Sequence, residues 1–189
     1  MRGAIFDVDG TILDSMQIWW AATGKYFDSI GVNFNAEVAE EVRELALEES
    51  LPLLIDRYKL NITPEEAIIA MKNIVKETYK TTVPIKKGCK EYIEQLHNDG
   101  VKIAVATSGF KDICETAFET VGISEYIDAY AFSSEVGVGK DKPDVYLLAA
   151  EKIGIKPHDC MVFEDIERGI KSAKSAGFET CAVYDETNA

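Results

Sequence analysis

Five short apolar runs recur along the chain, with helical patterns between most of them. The runs are GAIFDVD (3–9), VKIAVATS (101–108), AYAFSS (129–134), CMVFED (160–165) and TCAVYD (180–185). Runs of this length and composition are typical of buried strands. Strands that alternate with helices pair in parallel. The sequence therefore predicts an α/β fold built on a doubly wound parallel sheet.

Residues 14–83 interrupt this alternation. The segments in this stretch have helical spacing and no strand pattern; they are IWWAATGKYFDSI, NAEVAEEVRELALEESLPLLIDRYK and TPEEAIIAMKNIVKETYK. Thr63 precedes Pro64, and Glu66 follows three residues after Thr63, which is the pattern of a helix start. We predict an all-helical domain at 14–83, inserted into a core domain formed by 1–13 and 84–189.

Polar side chains collect where three of the predicted strands end. Parallel sheets of this kind bind ligands at the carboxyl ends of their strands. The polar pairs at these ends are Asp7 with Asp9, Thr107 with Ser108, and Glu164 with Asp165. The sequence thus predicts a site at one edge of the sheet, with carboxylates and hydroxyls as its chemical groups.

The charge of the chain excludes several kinds of partner. The formal net charge is −13, and nucleic acids and anionic membranes are bound by clustered lysine and arginine. The four cysteines are interpreted as small core side chains, because their spacing fits neither a zinc site nor a disulfide framework. No apolar run approaches the ~18 residues of a membrane span. We expect a cytoplasmic protein that binds neither nucleic acid nor membrane.

Four separated segments resemble the haloacid dehalogenase superfamily. They are DVDGT (7–11), VATSG (105–109), GKDKPDVYLLAAEKIG (139–154) and VFEDIERGIKSAKSAG (162–177). Within that superfamily the likeness is to phosphatases and phosphomutases of the β-phosphoglucomutase type. The resemblance implies a Rossmann-like core, a helical cap domain at the inserted segment, and Mg²⁺-dependent transfer of a phosphoryl group from a small phosphorylated metabolite.

The two aspartates after the first strand fit this chemistry. Phosphoryl transfer requires an in-line nucleophile, charge neutralisation and orientation. A carboxylate at the tip of a rigid strand can attack phosphorus and carry a transient aspartyl phosphate, a role we assign to Asp7. Asp9 projects to the same side and is expected to act as general acid and base. Gly10 permits the turn that brings backbone amides to the phosphate.

Two aspartates beside a phosphoryl group repel it unless a cation is present. Glu164 and Asp165 supply hard oxygen ligands, which suit Mg²⁺. Together with Asp7 and the backbone carbonyl of Asp9 they form the predicted magnesium site. Asp165 is expected to ligate directly, and Glu164 directly or through water.

Further groups are expected to hold the phosphate. Thr107 and Ser108 offer a hydroxyl and successive amides, although they could also cap the helix that begins near Phe110. The loop GKDKPD contains two lysines, Lys140 and Lys142. Against the family pattern Gly-Lys-Pro-x-Pro-Asp, Lys140 takes the functional place, and Lys142 remains the alternative.

Three activities stay open at this stage. A β-phosphoglucomutase is expected to carry a cap histidine twelve residues after the nucleophile and a cap arginine, and these positions are Trp19 and Leu47 here. Hydrolysis is therefore favoured over mutase action. A receiver-like signalling domain combines similar groups, but it carries no helical insertion after its first strand. We expect a phosphatase that is a monomer or a weak homodimer.

Overall fold

The computed structural model describes residues 1–38 and 47–187 of the 189-residue chain. Its strands are β1 (Gly3–Phe6), β2 (Lys102–Thr107), β3 (Ala129–Phe132), β4 (Cys160–Glu164) and β5 (Glu179–Ala182). Its helices are α1 (Met16–Ser29), α2 (Leu47–Arg57), α3 (Pro64–Tyr79), α4 (Cys89–Asn98), α5 (Lys111–Val121), α6 (Ser133–Val136), α7 (Asp144–Ile153) and α8 (Glu167–Ser175).

All five described strands pair in parallel, in the order β3-β2-β1-β4-β5. The first strand lies at the centre, with Phe6 opposite Val105 of β2 and Phe163 of β4. Because parallel neighbours point the same way, the residues that follow β1, β2 and β4 meet at one edge of the sheet. The predicted fold class is confirmed.

The central strands of the sheet are apolar and buried, as is typical of parallel sheets. Every residue of β1 is buried, as are five of the six in β2. Helix α7 packs on the middle of the sheet, where Val145, Tyr146 and Ala149 join Ile5 and other strand residues in one cluster. This packing makes the central strands a rigid support for the residues at their carboxyl ends.

The chain divides into two compact units, one of Met1–Met16 with Lys80–Ala189 and one of Gln17–Tyr79. Within the first unit, the outgoing and returning segments lie side by side, since the Asp14 amide donates to the Pro84 carbonyl at 2.8 Å and Leu13 bridges Ile85. The sheet is thus continuous although the sequence that builds it is interrupted.

The second unit is helical in its described residues, which are those of 17–79 outside 39–46. Its core contains Phe27, Leu51 and Met71. Helix α3 begins as the sequence predicts: the Thr63 hydroxyl accepts the Glu66 amide at 3.2 Å, and the Glu66 carboxylate accepts the Thr63 amide at 2.8 Å. This reciprocal pair satisfies two amides that a helix start leaves without partners.

The cysteine prediction is correct for two of the four side chains. Cys114 and Cys160 are buried, whereas Cys89 and Cys181 are only partly buried. Cys89 begins α4, and Cys181 lies on β5, an edge strand of the sheet. In the described parts of the chain, no helix combines the length and the apolar character that a membrane crossing requires.

Candidate active site

Three carboxylates converge at the carboxyl edge of β1 and β4. Asp7, Glu164 and Asp165 each offer an oxygen, and these oxygens lie within 4.8 Å of one another. The two strands are neighbours, and the Asp7 amide donates to the Phe163 carbonyl at 3.0 Å. The strand ends that the sequence predicted to approach each other therefore do so.

Lys140 bonds two of these three carboxylates. Its Nζ donates to Asp7 Oδ1 and, at 2.7 Å, to Glu164 Oε2. The side chain of Lys140 is 7 % exposed, whereas Lys142, two residues further on, is exposed to solvent. The geometry thus separates the two lysines that the sequence left as alternatives.

Glu164 is fully buried and is held by several donors. Besides Lys140, the hydroxyl of Tyr146 donates to Glu164 Oε2 at 2.8 Å, and the Ile166 amide donates to Oε1 at 3.2 Å. A buried carboxylate needs such partners because it has lost its hydration.

The turn after β1 depends on Gly10. Its φ is +88°, in the left-handed region, and a Cβ there would lie 2.2 Å from Asp165 Oδ2. The backbone of the turn therefore approaches the carboxylate of Asp165, the residue after β4, more closely than a side chain at position 10 would allow. Thr11 reinforces this contact, since its hydroxyl donates to Asp165 Oδ1 at 3.2 Å.

Asp9 lies next to the loop that follows β2. The Ser15 hydroxyl donates to Asp9 Oδ1 at 2.5 Å. A Cβ at Gly109 would lie 3.4 Å from Asp9 Oδ2 and 3.2 Å from Thr107 Oγ1. The second aspartate is therefore near the hydroxyl group that the sequence assigned to phosphate binding.

Thr107 and Ser108 differ in their surroundings. Thr107 is buried and its Oγ1 accepts the Gly109 amide at 2.9 Å, while the exposed Ser108 hydroxyl lies 3.0 Å from that of Ser133. Helix α5 begins at Lys111 and has no capping side chain at Phe110. The alternative role of Thr107 and Ser108 as helix caps is wrong, because Thr107 bonds the turn instead.

Burial and charge shift the acidity of these groups. Burial raises the pKa of Asp7 well above its usual value, against the pull of Lys140. Burial and the neighbouring Glu164 raise the pKa of Asp165 to about 6. Burial disfavours the ionised form of Glu164, but Lys140 and Tyr146 outweigh it and lower the pKa of Glu164. For Lys140, burial is likewise outweighed, and Asp7 and Glu164 raise its pKa.

The cluster has the properties of a magnesium site. When all three carboxylates are ionised, they and the Lys140 ammonium together carry a net charge of −2 in a buried setting. Carboxylate oxygens are the donors that Mg²⁺ prefers, and a divalent ion offsets that charge. The residues present therefore fit the metal that the sequence implied.

The sequence of the chain was compared with models of known protein families. Residues 4–183 match the haloacid dehalogenase-like hydrolase family. The chain belongs to this family. The predicted superfamily and enzyme type, a hydrolase of the phosphatase type, are thereby confirmed.

Two relatives and one solved structure show what this haloacid dehalogenase-like hydrolase resembles. A probable pseudouridine-5′-phosphatase of Drosophila melanogaster is 31 % identical, and the match spans 96 % of this chain and 80 % of the relative. A β-phosphoglucomutase of Bacillus subtilis is 28 % identical, and the match spans 94 % of this chain and 80 % of the mutase. The crystal structure of CbbY from Rhodobacter sphaeroides in complex with phosphate has a TM-score of 0.84 at 23 % identity, over 95 % and 84 % of the two chains.

Some residues of this hydrolase that contact the carboxylates had not been found from sequence. They are Thr11, Ser15 and Tyr146. Thr11 and Tyr146 fall inside the quoted segments, so a signal was present, but only the fold shows which oxygen each side chain contacts. Ser15 carries no signal of its own.

Proposed function

We propose that this chain is a Mg²⁺-dependent phosphatase that hydrolyses a small organic phosphate monoester through an aspartyl phosphate on Asp7. One observation carries the proposal: Lys140 bridges Asp7 and Glu164 beside Asp165, at the carboxyl edge of a parallel sheet. A buried nucleophile, a fixed cation and spare carboxylates in one place are what phosphoryl transfer requires.

Asp7 is proposed as the nucleophile. Its carboxylate comes directly after a fully buried strand and is held by Lys140, so its position is fixed before a substrate binds. In the first step an Asp7 oxygen bonds to phosphorus and the bond from phosphorus to the substrate oxygen breaks. Bound Mg²⁺, held by Asp7, Glu164, Asp165 and the Asp9 carbonyl, would neutralise charge on the carboxylates and the phosphoryl oxygens.

Asp9 is proposed as the general acid and base. It gives a proton to the departing alkoxide in the first step. In the second step it accepts a proton from the water that attacks phosphorus, and the bond between phosphorus and Asp7 breaks to release phosphate. The hydrogen bond from Ser15 fixes the orientation of this carboxylate.

The phosphate is proposed to be held from several sides. Gly10 allows the amides of its turn to face the anion, and Lys140 supplies a positive charge. The strand end of β2 supplies Thr107 and Ser108, of which Ser108 is exposed at this edge. The substrate class, a small phosphorylated metabolite, agrees with what the names of the relatives describe.

A phosphomutase is the second candidate, because a relative named β-phosphoglucomutase matches most of the chain. Trp19 and Leu47 stand where that enzyme type is expected to have a histidine and an arginine. The side chain of Leu47 lies outside the described ones, so this comparison is one of sequence alone. Both replacements remove polar contacts to a sugar bisphosphate, which favours transfer to water.

The helical unit of residues 17–79 is proposed to be a cap domain, and the unit with the sheet is proposed to be the catalytic core. A receiver-like signalling domain is disfavoured, because a helical unit follows the first strand directly.

A screen of a few dozen metabolite phosphates, with p-nitrophenyl phosphate as generic substrate, tests the function. We expect steady release of phosphate over many turnovers with Mg²⁺ and none with EDTA. A receiver-like domain would release at most one phosphate per chain. Transfer between positions of a sugar phosphate, without net release of phosphate, would instead support the mutase.

The acidity of Asp165 predicts how Mg²⁺ stabilises the protein at different pH values. A pKa of about 6, against an ordinary value of 3.8, means that Asp165 takes up a proton as pH falls through 6. Above that pH we expect saturating Mg²⁺, at about 100 times its dissociation constant, to add ~2.7 kcal/mol and raise Tm by about 5–10 °C.

At about pH 5 only roughly a tenth of Asp165 is ionised, so the same Mg²⁺ concentration should give about half that shift. In the metal-free protein the effect of pH on stability is opposite. Asp165 binds its proton more tightly in the folded state, so its contribution to stability is full below its unfolded pKa and is lost as pH rises through 6. Thermal unfolding with and without Mg²⁺ at both pH values measures the difference. Asp165→Asn is the control, and a shift that it retains in full would remove Asp165 from the metal site.

A further inference from the structure

The hydroxyl of Tyr146 bonds Glu164, one of the three clustered carboxylates. We propose that Tyr146 is a positioning residue, which holds Glu164 and, through it, Lys140 opposite Asp7. The proposal deepens the phosphatase function proposed above and rests on it for its kinetic consequences. Its structural part, the placing of the lysine, can be tested without turnover.

Tyr146 contacts both members of the ion pair. Its hydroxyl donates to Glu164 Oε2 at 2.8 Å, and the same oxygen accepts Lys140 Nζ at 2.7 Å. Lys140 Nζ also lies 5.8 Å from the centre of the Tyr146 ring. One side chain therefore fixes the carboxylate by a hydrogen bond and attracts the ammonium by its ring face.

The support that carries this hydroxyl is rigid. Tyr146 is fully buried on α7, where it belongs to the cluster of Ile5, Ala149 and Phe178 on the sheet. The opposite oxygen of Glu164 is held by the Ile166 amide. The carboxylate is thus fixed from two elements, which leaves little freedom to rotate.

Helix α8 is shaped around this contact. A Cβ at Gly169 would lie 2.6 Å from the Tyr146 hydroxyl and 2.9 Å from Cγ and Cδ of Glu164. Distances below 3.0 Å require some atom to move. The absence of a side chain at Gly169 therefore allows the tyrosine and the glutamate to meet, and a methyl group there would separate them.

The reaction makes this support necessary. Lys140 has two carboxylate partners in the structure, Asp7 and Glu164. When Asp7 becomes an acyl phosphate, it is no longer a carboxylate, and Glu164 remains as the carboxylate partner that keeps Lys140 in place. Tyr146 should therefore matter more for turnover than for the initial binding of substrate.

Tyr146→Phe removes the hydroxyl and keeps the ring. We expect kcat to fall about 10-fold, the effect of one hydrogen bond to a charged group, with KM changed by less than about twofold. Tyr130→Phe is the matched control: Tyr130 is a half-buried tyrosine on β3, packed on Phe118 and Phe132, and its variant should keep wild-type kcat. An unchanged kcat in Tyr146→Phe would overturn the proposal.

A second readout follows Lys140 itself. The ammonium of a buried, hydrogen-bonded lysine exchanges its protons slowly and can be detected by ¹⁵N NMR, with Lys140→Met to assign the signal. We expect this signal to shift and to exchange faster in Tyr146→Phe. If it stays as in the wild type, Tyr146 does not position Lys140, whatever happens to kcat.

The two readouts also separate this proposal from the proposed function. A wild-type protein that hydrolyses no phosphate ester contradicts the function, and the ammonium signal then decides the positioning by itself. If Tyr146→Phe fails to fold, Gly169→Ala displaces the same hydroxyl, and the same change in the ammonium signal is expected. An unchanged signal in Gly169→Ala would overturn the proposal.

Discussion

Asp7→Asn should abolish turnover while leaving the fold intact. An amide is not nucleophilic enough to attack phosphorus, so we expect kcat to fall by about 10⁴-fold or more. The fold should survive, because loss of the Lys140 ion pair is offset by relief of repulsion from Glu164 and Asp165. Steady-state kinetics and circular dichroism on the same preparation measure the two effects.

The matched control for this variant is Asp99→Asn. Asp99 is exposed and ends α4 just before β2 begins, at the opposite edge of the sheet from the carboxylates. It should keep wild-type activity. Retention of a tenth of the activity in Asp7→Asn would remove Asp7 from its role as nucleophile.

Lys140→Met should impair both catalysis and stability. The Lys140 ammonium supplies positive charge to both Asp7 and the phosphate. Its loss should lower kcat by about 10³-fold. In the metal-free protein the variant leaves three buried carboxylates without the ammonium, and breaking a buried pair costs about 3–5 kcal/mol. Urea unfolding in EDTA measures the loss, and Mg²⁺ should restore part of it because it offsets the same charge.

Lys142→Met is the control that the chain itself provides. The two lysines are two residues apart in one loop, but Lys142 is exposed. Its loss should change kcat less than about twofold and the free energy of unfolding by less than about 0.5 kcal/mol. Equal effects of the two substitutions would contradict the assignment of Lys140.

Much of the fold and part of the site could be predicted because they depend on local pattern. The positions of β1 to β5 followed from apolar runs of the length and composition typical of buried strands, and their parallel pairing followed from the helices between them. Since parallel strands end at one edge, the convergence of Asp7 with Glu164 and Asp165 followed from topology alone. The start of α3 was correct because Thr63 and Glu66 form a local capping pair.

The remaining features depend on long-range geometry. The family pattern favoured Lys140 over Lys142, but the two lysines have the same chemistry, and only the fold shows that Lys140 bonds Asp7 and Glu164. Tyr146 was part of a helical pattern that any buried aromatic residue would satisfy. Only the fold shows that its hydroxyl bonds Glu164, at 2.8 Å. A helix cap was the alternative role for Thr107, because the sequence does not distinguish a hydroxyl that bonds a turn from one that bonds the start of a helix.

The central claim is that Asp7 carries the phosphoryl group. A crystal structure of the wild-type protein with beryllium fluoride and Mg²⁺ tests it most directly, since beryllofluoride mimics a phosphoryl group on a carboxylate. We predict a beryllofluoride bonded to a carboxylate oxygen of Asp7, in contact with Lys140. A beryllofluoride bonded to another residue, or a site with Mg²⁺ bound and Asp7 unmodified, would contradict the account.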